Sequence, residues 1–268
     1  MSERDFFDSQ YSVNWKARAD NKDYLYDKYA RLIENGGNNI RCYQVKRQFD
    51  ALLKSEGKRI LDCACGVGAL GIWLALNGKD VCGFDFSETA IGIAVESAML
   101  SGVADKIRFD VMDVRTLAYE DGSFDILTGN DCIHHLINQP AGLRELARVL
   151  KPGGKALFVE PLAWNPFINL LRFINTRWNK CYFEHFLTKK EIEFMKSVFG
   201  SLSLSEHVVL SSFSRLFARG HATKKLNAFQ KMVCILLKKL DDVLLRIMPG
   251  FSNLSSMAFI EIVKTPGP

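Results

Sequence analysis

Asp62 and Asp85 each end a short apolar run, and Gly66, Gly68 and Gly71 lie between them. Acids at the ends of apolar runs, joined through a glycine turn, are suited to holding a nucleoside. Glycines let the backbone come close to a ligand, and the helix that follows such a turn offers free N–H groups. An acid placed like Asp85 can accept hydrogen bonds from both hydroxyls of a ribose. Gly66, Gly68 and Gly71 spell G-x-G-x-x-G, the dinucleotide fingerprint, with an acid downstream. Two features oppose a dinucleotide. Asp62 stands just before the turn, where its charge would repel a pyrophosphate. A third acid follows the next apolar run: Ile107-Arg108-Phe109 leads through Asp110 to Met112-Asp113-Val114, where Asp113 can take an adenine amine between apolar side chains. Three acids suit a ligand with a ribose, an adenine and a cationic amino-acid tail.

The elements that must position these residues are legible in Arg59 to Phe86, RILDCACGVGALGIWLALNGKDVCGFDF. A strand ends at Asp62, and the small residues Ala64, Gly66 and Gly68 make a turn. A helix carries Leu70, Trp73, Leu74 and Leu76 to a stop at Asn77-Gly78, and Val81 to Phe84 form a second strand. This βαβ unit puts its functional residues at the carboxyl ends of the strands, where open parallel sheets bind ligands. Further along, Phe124 to Asn130 reads as a fourth strand, Leu143 to Leu150 as a helix before Lys151-Pro152-Gly153-Gly154, and Ala156 to Glu160 as a fifth strand.

In order and spacing, about residues 59–162 resemble the class I S-adenosylmethionine (SAM) dependent methyltransferases, and within them the broad small-molecule, type 11-like group. The resemblance implies an α/β, Rossmann-like sheet of seven strands, mostly parallel with the last antiparallel, and helices on both faces. It implies SAM as cofactor and S-adenosylhomocysteine as product. The implied cofactor residues are Asp62, Ala64, Cys65, Gly66, Gly68, Asp85, Phe86, Met112, Asp113, Val114 and Asn130, with Tyr11 from an N-terminal lid. Ala64 departs from the family, which most often has glycine there; a tighter cofactor contact is expected. Asn130-Asp131-Cys132-Ile133 also departs from the Asn/Asp-Pro-Pro-aromatic spelling of adenine-amine methyltransferases, which disfavours that activity.

Methyl transfer from a sulfonium is an in-line displacement, so alignment supplies much of the acceleration, and a hydroxyl acceptor must also lose a proton. His134 and His135 follow the fourth strand and Glu160 ends the fifth. The pair resembles that of sugar and natural-product O-methyltransferases. The resemblance implies His134 as general base and Glu160 as its orienting partner, with His135 beside them or packed on the cofactor. The implied substrate residues are Trp15 in the lid, Trp164, Glu184 and His185; with Phe167, Phe183 and Phe186 they describe an apolar pocket for a small aromatic or aliphatic acceptor. Transfer to oxygen is the first expectation. Transfer to carbon or nitrogen, an NAD(P)-dependent oxidoreductase, and a non-catalytic SAM-binding membrane adaptor stay open.

The 268 residues suit one α/β domain with additions: a helical lid over residues 1–50, a SAM-binding core over 51–162, and a cap over 163–268. The lid is rich in aromatics, and a further helix is expected over about 40–55. A strand is expected over Leu202 to Leu210 and the last over Met257 to Lys264, separated by an insertion over about 211–256. No run of about 18 apolar residues occurs, and the first residues, MSERDFFDSQ, lack a secretion signal's apolar stretch. The seven cysteines, odd in number and scattered, suggest reduced thiols and a cytoplasmic protein; Cys63 and Cys65 read as small buried residues, not metal ligands.

The net charge of +5 belongs wholly to residues 201–268, which hold nine Lys or Arg and four Asp or Glu. Within them, Lys224 to Met248 reads as one basic amphipathic helix. Leu226, Phe229, Val233, Leu236 or Leu237, Leu240, Leu244 and Ile247 form the apolar stripe, and Lys225, Lys231, Lys238, Lys239 and Arg246 the remainder. The stripe can pack on the domain, roof a hydrophobic acceptor, or meet an anionic membrane surface. No basic stripe interleaved with aromatics flanks the site, so nucleic acid is not expected as a partner. A monomer or homodimer is expected.

Overall fold

The structure is a computed structural model that describes residues 8, 42–137, 140–179, 185–205, 207–216 and 227–265. Tyr11, Trp15, Phe183 and Glu184 lie outside the described residues, as do the first 40 residues of the expected lid apart from Asp8.

Seven strands form one sheet in the order β3-β2-β1-β4-β5-β7-β6. They are β1 (Arg59–Cys63), β2 (Asp80–Asp85), β3 (Ile107–Val111), β4 (Phe124–Asn130), β5 (Leu150–Pro161), β6 (Gly200–Ser205) and β7 (Met257–Lys264). The pairs among β1 to β5 are parallel, while β7 runs antiparallel to both β5 and β6. This is the mostly parallel sheet with a reversed last strand that the sequence predicts. Strand order reverses at β1, between β2 and β4, and such a switch point opens a crevice at the carboxyl ends.

Alternation along the strands feeds two cores. Leu61 and Phe158 face one side with α5 (Pro140–Val149) and α7 (Lys189–Phe199); Ile60 and Leu157 face the other with α1 (Cys42–Lys54), α2 (Ala69–Leu76) and α3 (Glu88–Leu100). The helix ends follow local chemistry. Ser87 caps α3 by accepting from the Ala90 N–H, and Thr188 with Glu191 makes a reciprocal capping box on α7. A one-turn helix, α4 (Ile133–Leu136), follows β4, and α6 (Pro166–Asn179) follows β5.

Two expectations need correction. Leu202 to Leu210 is not one strand: β6 ends at Ser205, and Leu210–Leu216 is a 3-10 helix. The cause is Asp241 on α8 (Ala228–Ile247), whose carboxylate accepts from the N–H groups of Val209, Leu210 and Ser211 and takes them out of any strand ladder. The second correction concerns α8 itself. Its domain-facing buried residues are Cys234, Lys238 and Asp241, whereas Phe229, Leu236, Leu240 and Ile247 of the predicted stripe are exposed. Part of the predicted stripe therefore faces away from the domain, while Val233, Leu237 and Leu244 are half-buried and Leu226 lies outside the described residues; Lys238 is 7 % exposed and paired with Asp242.

Candidate active site

The turn between β1 and α2 is built from left-handed backbone at Ala64 (φ 47°), Gly66 (φ 53°) and Gly68 (φ 72°). Gly68 has to be glycine twice over: a Cβ there would lie 2.4 Å from the Phe109 ring and 2.8 Å from Ala94 Cβ. At Gly71 a Cβ would come within 2.7 Å of Ile107 Cδ1, so this glycine serves helix–strand packing. Ala64 lacks glycine's freedom and holds a conformation that costs an L-residue about 1 kcal/mol or more.

Both acids of the crevice are buried and held by backbone. Asp62 Oδ2 accepts from the Gly71 N–H at 3.0 Å. Asp85 accepts from Gly66 N–H at 2.9 Å through Oδ2 and from Ser87 N–H at 3.0 Å through Oδ1, fixing the carboxylate plane. Burial pushes Asp62 up to about 7; the Gly71 hydrogen bond opposes this and the charge of Asp85 adds to it. Burial likewise raises Asp85, against the N–H groups of Ser87, Gly66 and Phe86. Two buried acids whose pKa values burial raises suit a cationic ligand, and a pyrophosphate would add a third like charge. The Met112 N–H bonds the Asp85 carbonyl at 3.0 Å and ties the third acid's loop to the crevice. Asp113 there is part-exposed, with both carboxylate oxygens accepting from Arg115. Val114 is buried in the core with Gly142 against it, and Phe86 and Met112 are half-buried. Cys65 packs near Gly83, and burial pushes its thiol and that of Cys63 well above the usual range.

At the carboxyl ends of β4 and β5 the predicted pair is in contact. Glu160, fully buried, accepts from the backbone N–H groups of Cys132 (2.9 Å) and Ile133 (3.0 Å) through Oε1, and Oε2 lies 2.7 Å from His134 Nδ1. Burial pushes Glu160 up, but His134 and these N–H groups outweigh it and hold the carboxyl below the ordinary glutamate value. His134 is itself buried, and its Nε2 has no hydrogen-bond partner among the described residues; the same holds for Asn130 Oδ1 and Trp164 Nε1. The rings of His135 and Phe186 lie 4.2 and 6.0 Å from that of His134. Asp131 makes the turn from β4 with φ 54°.

His185 lies one residue before Phe186 and already has a partner. Its Nε2 meets Glu191, the acid of the α7 capping box, so His185 braces a helix start beside the site. Phe167 is 66 % exposed, whereas Trp164 packs on the core under the Lys189 ammonium. Two residues escaped the sequence reading. Gln48 on α1 directs Nε2 at Thr128 Oγ1, Gly129 O and Leu157 O, locking the ends of β4 and β5; its only signal is a polar residue on the buried stripe of Val45, Phe49 and Leu52. Asp8 accepts the Ser87 hydroxyl beside Asp85, and nothing in its sequence context marks it.

This sheet, with two acids on a glycine turn and a buried His–Glu pair, has the Rossmann-like architecture, its acids at the strand switch point. Residues 60–154 match the family model for a methyltransferase domain. The chain is 33% identical over 135 residues to phosphoethanolamine N-methyltransferase 3 of Arabidopsis thaliana, covering 50% of this chain and 27% of that protein. It is 32% identical over 130 residues to ubiquinone biosynthesis O-methyltransferase of Dechloromonas aromatica, covering 48% and 55%. These matches thus span between about a quarter and about half of the relatives' own length. Geranyl diphosphate C-methyltransferase from Streptomyces coelicolor, solved with Mg2+, geranyl diphosphate and S-adenosylhomocysteine, shares the fold at a TM-score of 0.55 and 16% identity, covering 83% of this chain and 76% of that one. Residues 60–154 thus carry a methyltransferase domain, on a sheet whose fold solved SAM-dependent methyltransferases share.

Proposed function

We propose that the protein transfers a methyl group from SAM to a hydroxyl of a small, hydrophobic acceptor. The observation that carries this reading is His134 Nε2, a buried nitrogen without a partner on a ring whose other nitrogen is held by Glu160. An anionic Glu160 accepts Nδ1–H, and in that tautomer Nε2 carries the lone pair a general base needs. When Nε2 takes the acceptor's proton, the new imidazolium lies against a carboxylate already fixed by backbone N–H groups, so little reorganises.

The residues present fit the cofactor. Asp85 keeps lone pairs for ribose hydroxyls, Asp62 suits the ammonium of the amino-acid tail, and the left-handed turn at Gly66 and Gly68 admits close backbone approach. Bound SAM supplies an electrophilic methyl on a positively charged sulfur. The printed activities of the relatives span nitrogen, oxygen and carbon acceptors; the bare Nε2 suits an acceptor that must lose a proton, and a neutral hydroxyl, a poor nucleophile until deprotonated, gains most from such a base. Phe186, its ring 6.0 Å from that of His134, favours an apolar acceptor.

The test uses SAM with a labelled methyl group, purified protein and a source-cell extract split into organic, aqueous and precipitated fractions. Label in the organic phase, lost in His134→Ala, is the expected result. Label in the aqueous phase overturns the hydrophobic acceptor, and label on precipitated macromolecules overturns the small-molecule reading.

A further inference from the structure

We propose that the outward faces of α8 and α6 dock the protein on an anionic lipid bilayer, with the acceptor end of the sheet toward the membrane. α8 is amphipathic the wrong way round for a packed surface helix. Asp241 takes three backbone N–H groups from 209–211, and Lys238 lies 5.0 Å from the Tyr43 ring and pairs with Asp242, so a polar face points inward. The opposite face carries Phe229, Met232, Leu236, Leu240, Val243 and Ile247, spaced three and four residues apart, with exposures of 63 % at Phe229 and 71 % at Ile247. An apolar stripe costs free energy in water unless something covers it.

The charge around the stripe selects the occupant. Lys239 and Arg246 are exposed along one border, Lys231 lies further round, and Asp242 is balanced by Lys238. All of the chain's net positive charge falls in residues 201–268. An apolar stripe bordered by cations complements the interface of an anionic bilayer, where side chains enter the acyl boundary and cations meet headgroups.

A second apolar face belongs to the same end of the molecule. α6 exposes Phe167, Leu170, Leu171 and Phe173. It is tied to the segment after α8: Asn165 Nδ2 donates to Leu254 O at 2.9 Å and Arg172 donates to Ser256 O at 3.0 Å. That segment enters β7 opposite Pro161, the residue after Glu160, so both helices flank the end of the sheet where the proposed base lies. The geometry therefore suits an acceptor drawn from the bilayer; this last link rests on the methyl-transfer reading, whereas the docking face does not.

The test is flotation of the full chain, without SAM or acceptor, with vesicles of phosphatidylcholine alone or with about 30% phosphatidylserine. Binding to the anionic vesicles that weakens with salt is expected. Lys239→Ala with Arg246→Ala should weaken it about 25-fold, on the order of 1 kcal/mol per cation. Leu236→Ser with Leu240→Ser should weaken it at least tenfold. Every substituted residue is exposed, so calorimetric binding of S-adenosylhomocysteine should be unchanged in both double variants; no such binding by the unsubstituted protein while vesicle binding persists would count against the cofactor reading alone. Failure to bind either vesicle, or binding that both double variants retain, overturns the docking face. So does a concentration-dependent dimer abolished by Leu236→Ser with Leu240→Ser, which would assign the stripe to a second copy of the chain.

Discussion

Glu160→Gln separates a His–Glu base from a histidine that only packs. Gln keeps the size of Glu, and its Oε1 can keep the N–H groups of Cys132 and Ile133. The amide nitrogen then faces His134 Nδ1, 2.7 Å from the present oxygen, and sets donor against donor. The ring relieves this by moving its proton to Nε2, which removes the lone pair the reaction needs. The expected loss in kcat is about 10²–10⁴-fold, roughly 3–5 kcal/mol of barrier. Stability should fall by about 2–4 kcal/mol, because charge-assisted hydrogen bonds to a buried group are replaced by neutral ones. The sign with pH follows from the lowered pKa of Glu160. Its contribution is present above the unfolded glutamate value, about 4.3, and is lost as pH falls through the lower folded value. The variant's stability deficit should therefore be full at neutral pH and shrink in acid. The assays are labelled-methyl transfer into the acceptor fraction, urea melts across pH, and calorimetric binding of S-adenosylhomocysteine, expected unchanged. A folded variant with kcat within about threefold of wild type would refute general-base catalysis by this pair.

Asp85→Ala removes a carboxylate pre-set by two N–H groups and should weaken S-adenosylhomocysteine binding on the order of 10²-fold, about 3 kcal/mol, by calorimetry. For Asp62, with a folded pKa raised to about 7, relative stability is fullest below the unfolded value near 4 and declines as pH rises toward 7. Because a cationic tail needs the carboxylate, affinity for S-adenosylhomocysteine should drop up to tenfold per pH unit below about 7, and Asp62→Asn should flatten that profile. Gly68→Ala combines a left-handed φ with a clash on Phe109 and should cost about 2–4 kcal/mol, whereas Gly78→Ala, also at positive φ but in open space, should cost about 1 kcal/mol; equal melting shifts would contradict the packing argument.

The sequence determined the sheet and the location of the chemistry, because both rest on short-range patterns. Apolar runs of strand length, a glycine turn with small residues around it, and acids at run ends place Asp62, Asp85, His134 and Glu160 at one end of a parallel sheet. Tertiary structure decided what those groups do. The Nδ1–carboxylate contact, and with it the bare Nε2, depends on β4 and β5 lying side by side in register, and on Gln48 from another helix bracing their ends. It also decided against reading Leu202 to Leu210 as a strand, and it turned Phe229, Leu236, Leu240 and Ile247 of the α8 stripe outward. Periodicity shows that a helix has two faces, but which face turns inward depends on what lies opposite. Here three N–H groups at 209–211 need an acceptor, Asp241 supplies it, and the apolar face is left to point outward.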